Sequence, residues 1–173
     1  MTIALKITTL DTSDIPELTR LINSAYRGES SKKGWTTEAD LLGGLRTNEN
    51  SLHELVKKPG STILTAKDDK GQLAGCVYLQ QEASQLYLGM LTVAPDIQAK
   101  GIGSQLLQAA ENHAVELHCS TVTMTVIDVR HELIEWYKRK GFQSTGEIKP
   151  FPTDPEFGIP KQPLRFIVME KML

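Results

Sequence analysis

Two groups of residues in this 173-residue chain have the types and spacing to do chemistry. The first is the run Gln98-Ala99-Lys100-Gly101-Ile102-Gly103-Ser104. It follows an apolar, strand-like segment and opens a segment of helical periodicity. The first amides of a helix lack intrahelical acceptors, and the helix dipole adds partial positive charge there. Glycines let an anion approach the backbone with no Cβ in the way. Lys100 adds a cation and Ser104 a hydroxyl, so the turn suits a phosphate or pyrophosphate. It is not a nucleotide P-loop, because no lysine follows the second glycine. Nor is it a dinucleotide fingerprint, because Leu106 stands where the third glycine belongs.

The second group is built around Tyr137 in Glu135-Trp136-Tyr137-Lys138-Arg139-Lys140-Gly141-Phe142. A phenol can serve as a proton donor. Leu133 and Tyr137 also share a helix face, so the spacing fits a core tyrosine as well. Glu29 and Glu82 are carboxylates that could accept a proton, although each has the character of a solvated surface residue. Cys76 and Cys119 have no metal-ligand spacing, and the His118-Cys119 neighbours do not make a metal site. We expect two reduced thiols and no metal.

These groups need elements to place them. Ile3–Thr9 reads as a strand. Ile15, Leu18, Leu21, Ile22 and Ala25 then recur at helical spacing behind the cap residues Asp11 to Asp14. The polar stretch from Gly28 to Gly34 is a loop. Thr36 or Thr37 caps a second helix with Leu41, Leu42 and Leu45 as its apolar face, and Ser51–Lys57 adds a turn or two before Pro59-Gly60. Strands follow at Ser61–Lys67, Gln72–Gln81 and Leu86–Val93, the first two joined by the turn Asp68-Asp69-Lys70-Gly71. Gly89 inside the third strand marks a bulge or a close backbone approach. Ile102, Leu106, Leu107, Ala110, Ala114 and Leu117 predict a helix over 101–118. A strand at Thr121–Ile127, a helix at Arg130–Lys140 stopped by Gly141, and strands at Phe142–Ile148 and Leu164–Lys171 complete the chain. Five prolines between Pro150 and Pro163 make the stretch before the last strand a loop. The order predicts one α/β (α+β) domain over residues 1–173, with a mixed sheet of about seven strands and about four helices packed against it.

Composition excludes several partners. The net charge of -2 argues against nucleic acid, whose binders are normally basic. No apolar run approaches the ~20 residues that span a bilayer, and the N-terminus has no signal-peptide pattern. The expectation is a cytoplasmic protein that does not engage a membrane.

Taken together, Leu88-Gly89-Met90-Leu91-Thr92-Val93-Ala94-Pro95, Gln98-x-x-Gly101-x-Gly103 and Leu106-Leu107 resemble motif A of the GNAT superfamily of acyl-CoA N-acyltransferases. Tyr137-x-x-x-Gly141-Phe142 is similar to that family's second hallmark, one helix and one strand later. The resemblance implies a mostly antiparallel central sheet and an acetyl-CoA-dependent N-acetyltransferase that needs no metal and acts on the amine of a small molecule or peptide. It places acetyl-CoA in a splay between two central strands, here Leu86–Val93 and Thr121–Ile127. The backbone of Leu91, Thr92 and Val93 would meet the pantetheine arm, and Gln98, Ala99, Lys100, Gly101, Ile102, Gly103 and Ser104 the pyrophosphate. Tyr137 aligns with the general acid. The acceptor would lie between the early helices and the last strands, near Tyr26, Arg27, Glu29, Trp35, Tyr87 and Phe151. Those aromatic residues serve equally as pocket walls or as loop anchors. A homodimer is common in the superfamily.

The sequence departs from the pattern twice. Tyr87 stands where some members carry a glutamate base, which leaves the base open among Glu29, Glu82 and a water chain. It also motivates the alternative of a non-catalytic acyl-CoA sensor. Arg130 replaces an asparagine common at the start of the last helix; a phosphate or substrate contact and a surface ion pair are both open to it.

Overall fold

The computed structural model describes residues 4–27, 37–97, 101–152 and 158–173. A central seven-stranded sheet has the order β1-β3-β4-β5-β6-β9-β7. Its strands are β1 (Lys6–Thr9), β3 (Ser61–Lys67), β4 (Leu73–Glu82), β5 (Gln85–Val93), β6 (Thr121–Ile127), β7 (Gln143–Pro150) and β9 (Arg165–Met172). Every pairing is antiparallel except β5 with β6. A two-stranded ladder, β2 (Leu42–Gly43) with β8 (Ile159–Pro160), stands apart. Among the described residues the helices are α1 (Ile15–Tyr26), α2 (Glu49–Lys57), α3 (Ile102–Glu116) and α4 (His131–Arg139).

Helices cover both sheet faces, so the central strands must be apolar on both sides. Leu73 to Leu79 in β4 is a buried run that meets this need. Val77 and Leu79 join Leu106, Leu107, Ala110, Ile134 and Tyr137 in the core under α3 and α4. Cys76 and Tyr78 join Ile15, Leu18, Ile22 and Leu52 in the core under α1 and α2. Gly75 sits at the closest approach of three elements. A Cβ there would lie 2.5 Å from the Thr92 carbonyl oxygen and 2.9 Å from Leu106 Cδ1. The leucine can turn aside, but the strand backbone cannot. Gly75→Ala is therefore expected to cost about 2 kcal/mol, read as a lower urea midpoint at unchanged m-value.

The helix expected over Leu41, Leu42 and Leu45 does not form among the described residues. Only a single turn appears, with the Leu41 and Leu42 amides both donating to the Glu38 carbonyl at 2.9 Å. Leu42 then enters the β2 ladder and is buried with Ile127 and Leu164, while Leu45 is 63% exposed. The Gly43-Gly44 pair is the reason, since two consecutive glycines oppose helix propagation. Gly44 takes φ +81°, which breaks the helical path. In contrast, α2 begins earlier than expected, because Asn48 caps it through a 2.8 Å bond from the Ser51 amide. The proline-rich stretch is not loop throughout: Ile159–Pro160 forms β8.

No helix among the described residues is long and apolar enough to cross a membrane.

Candidate functional site

The sheet opens at its only parallel pair. The β5–β6 register runs from Gln85 opposite Thr121 to Tyr87 opposite Thr123 and stops there. Both strands continue, β5 to Val93 and β6 to Ile127, so a wedge separates their C-terminal halves. A bulge in β5 accompanies the divergence. Its register with β4 shifts between Cys76 and Tyr78, and Met90 adopts φ +48°. The bulge thus falls one residue after Gly89. Gly89 answers a different need: the Tyr87 ring lies over it, 3.1 Å from where a Cβ would stand. Side chains brace the bulge. The Thr92 hydroxyl donates to the Met90 carbonyl at 2.9 Å, and the Tyr26 hydroxyl of α1 donates to the Leu91 carbonyl.

On one side of the wedge lies a groove of about 690 Å³, lined by Val93, Gly101, Ile102, Gly103, Ser104 and the face of α4 that carries Trp136. Gly101 caps α3 at φ +79°, a conformation that favours glycine. The first bond into the helix runs from the Gln105 amide to the Gly101 carbonyl. The amides of Ile102, Gly103 and Ser104 therefore face the groove with no helical acceptor, which suits an anion. Gly103 is less constrained, since an added Cβ would make ordinary contact with Trp136 at 3.6 Å and Val93 at 3.7 Å. Among the described residues no group of three or more His, Cys, Asp or Glu is placed to hold a metal.

On the other side is a cleft of about 400 Å³. Tyr26, Arg27, Tyr87, Leu91, Tyr137 and Phe151, chosen from sequence, all line it, with Arg46 and Glu38 beside them. Thr92 lines neither cavity, and its side chain is fully buried. Glu29, Trp35, Gln98, Ala99 and Lys100 lie outside the described residues. Glu82 is exposed at the closed end of the β4–β5 hairpin and does not line the cleft.

Tyr137 is placed by the turn that follows it. Gly141 takes φ +98° and redirects the chain, so the Phe142 amide donates to the Tyr137 carbonyl at 3.0 Å. The Phe142 and Trp136 rings meet the Tyr137 ring edge-on at 5.7 and 5.1 Å. Its hydroxyl makes no hydrogen bond among the described residues. Burial pushes the phenol well above its ordinary pKa; nearby Tyr26 adds to this and Arg130 opposes it.

An ionic cluster closes the cleft. The Arg27 guanidinium holds Glu38 Oε1 at 2.8 Å, and Arg130 reaches Glu38 Oε2 at 3.6 Å with all three side chains buried. Arg130 thus forms a buried ion pair, not a surface one. Arg27 also lies against Gly158, where a Cβ would stand 2.9 Å from its Nη1. Arg46 carries no local motif that marks it as a site residue, and Glu38 stands out in the sequence only as the end of the stretch Lys33–Glu38 expected beside the acceptor.

Burial pushes Tyr26 up to about 12, with Arg46 partly opposing, and Cys76 up to about 12, with its bond to Thr92 partly opposing. Their ordinary values are 10.0 and 9.0. The folded chain thus keeps these protons at a pH where the unfolded chain has lost them. The stability they contribute is complete below about pH 9 and declines as pH rises toward 12. Urea midpoints should match at pH 7 and 8 and fall at pH 10.5, with a smaller fall in Cys76→Ala. A midpoint that holds at pH 10.5 would contradict this.

Comparison with known proteins fits the geometry. Structures with similar folds include the ribosomal-protein-S18-alanine N-acetyltransferase from Escherichia coli, 18% identical with a TM-score of 0.72 over 98% of this chain and 94% of that one. A spermidine N-acetyltransferase chimera from Vibrio cholerae and hSSAT is 16% identical, with a TM-score of 0.70 over 97% and 95%. Nourseothricin acetyltransferase is 26% identical, with a TM-score of 0.58 over 66% of each chain. The model of the acetyltransferase (GNAT) family matches residues 15–142, reaching from α1 through Phe142. The chain belongs to the acetyltransferase (GNAT) family and is an acyltransferase.

Proposed function

We propose that the protein transfers the acetyl group of acetyl-CoA to the amine of a small molecule or peptide, with Tyr137 as general acid. The observation that carries this reading is the wedge between β5 and β6, with the anion-ready start of α3 on one side and the Tyr137 cleft on the other.

In this reading the Ile102, Gly103 and Ser104 amides hold the pyrophosphate, together with the preceding Gln98, Ala99 and Lys100. The Leu91, Thr92 and Val93 backbone lines the pantetheine arm. The acceptor nitrogen bonds to the thioester carbonyl carbon, the carbon–sulfur bond breaks, and the sulfur leaves with the proton of the Tyr137 hydroxyl. The amine's surplus proton passes to solvent, and the phenol is reprotonated from solvent.

Glu38 is the only carboxylate among the described residues lining the cleft, and both of its oxygens face guanidiniums. A carboxylate engaged on both oxygens is poorly placed to take a proton from the acceptor. In this reading the amine reacts as its neutral fraction, and kcat/KM rises with pH toward the amine pKa of about 10.

Calorimetry with acetyl-CoA, followed by thiol release across amines, amino acids, polyamines and peptides, tests the reading. Saturable binding with thiol release from at least one amine is expected. No binding of acetyl-CoA would refute it. Binding without release for any acceptor would identify an acyl-CoA sensor instead.

A further inference from the structure

The acceptor cleft carries a charge imbalance. Its charged lining among the described residues is Arg27, Glu38, Arg46, Lys58 and Arg130. Glu38 is shared by Arg27 and Arg130, as described above. Arg46 differs. Its guanidinium carbon lies 5.6 Å from the centroid of the Tyr26 ring, and no carboxylate among the described residues pairs with it. A guanidinium has five N–H donors, and an aromatic face satisfies none of them in the way a carboxylate does.

The position is built. Asn23 of α1 pins the backbone under Arg46 through three bonds. Its Oδ1 accepts from the Arg46 amide at 2.8 Å and the Thr47 amide at 3.0 Å, and its Nδ2 donates to the Thr47 carbonyl at 3.0 Å. The side chain is half-buried, so the cation is held in place and not left to wander in solvent. The same Tyr26 that lies under the guanidinium gives its hydroxyl to the Leu91 carbonyl on the wedge. One tyrosine side chain therefore spans the distance from the cation to the strand where the acyl group would lie. Lys58 adds a second positive charge at the cleft's exposed rim.

We propose that the acceptor is a primary amine of amino-acid size that carries its own carboxylate, seated on the Arg46 guanidinium with its nitrogen directed toward Leu91 and Tyr137. This rests on the N-acetyltransferase reading and names its substrate class. The carboxylate supplies the acceptor atoms Arg46 lacks, and a forked guanidinium matches the two oxygens geometrically. The same charge rejects competitors: a polyamine would bring a second ammonium against Arg46 and Lys58. A cleft of about 400 Å³ suits a small molecule.

The test compares matched acceptors at fixed acetyl-CoA: amino acids, their primary amides, the corresponding decarboxylated amines and polyamines. The free acids should exceed the amides at least about ten-fold in kcat/KM, mainly through KM. In Arg46→Gln that ratio should fall toward one, and Arg46→Lys should restore part of it. Thermal melts of both variants check the fold. Amides or polyamines used as well as the acids, or a ratio unchanged in Arg46→Gln, would overturn the proposal. A second arm needs no turnover: N-acetyl amino acids and their methylamides are titrated into the CoA-saturated protein. Tighter binding of the acids, lost in Arg46→Gln, supports the proposal, and equal or absent binding of the acids overturns it. Failure to bind CoA at all would sink the transferase reading and this one with it. CoA binding with a preference for neutral or polycationic amines would sink this one alone.

Discussion

Tyr137→Phe should lower kcat by on the order of 10²–10³-fold while leaving the affinity for acetyl-CoA and the melting temperature nearly unchanged. The substitution deletes one oxygen and keeps the ring, so the edge contacts to Trp136 and Phe142 survive. The lost hydroxyl has no hydrogen-bond partner among the described residues, so no protein group is orphaned and the stability cost is small. The cost falls on the departing sulfur. A thiolate released in a buried cleft without a donor pays for its desolvation, and the phenol is the group placed to relieve that. Burial also fixes the sign of the pH dependence. A phenol held above its usual pKa keeps its proton through pH 10, so Tyr137 imposes no fall in rate below that value. Wild type and variant should show the same rising limb, set by the amine, at very different heights. A variant within three-fold of wild type in kcat would mean that Tyr137 serves only the core.

What was legible in the sequence divides by the range of the interactions. The glycine turn and the tyrosine helix are contiguous runs, and their physics is local. Gly101 needs a left-handed φ, and Gly141 turns the chain so that Phe142 can pack on Tyr137. Both are legible from spacing, and with them the order of elements along the chain. At Gly89 the sequence leaves a bulge and a close approach both open, because a strand glycine signals either one. Here Gly89 makes room for the Tyr87 ring, and Met90 bears the positive φ. The Leu42–Gly43 strand, where the spacing predicts a helix, shows how three leucines at helical spacing can outweigh a Gly-Gly pair in a linear reading. Its true partner, Ile159–Pro160, lies at the other end of the chain. The charged part of the cleft was the least legible. Arg46 is placed by Asn23, and Glu38 meets Arg130 only after the sheet has formed. No spacing rule links residues brought together by tertiary structure, and Arg130 stood out only as a departure from a family pattern.

Glu38→Ala should destabilise the fold by about 3–5 kcal/mol, the largest stability loss of any single change considered. Its carboxylate is buried, with one oxygen 2.8 Å from Arg27 Nη2 and the other 3.6 Å from Arg130 Nη1. Removing it takes from two buried guanidiniums the carboxylate that they share. The damage reaches three places. Arg27 is the C-cap residue of α1 and packs on Gly158; Arg130 is the N-cap residue of α4, the helix of Tyr137; and Glu38 itself begins the turn that leads into β2. The cluster therefore ties both walls of the cleft to its floor, and activity should fall along with stability. A double-mutant cycle separates charge from packing. Adding Arg27→Met to Glu38→Ala removes one of the two cations that faced the carboxylate, so the double variant should recover part of the lost urea midpoint. Glu38→Gln keeps the shape and one hydrogen-bond acceptor but not the charge, and should fall between wild type and Glu38→Ala. Equal losses in Glu38→Gln and Glu38→Ala, with no recovery in the double variant, would show that the volume of this side chain holds the cleft together and its charge does not.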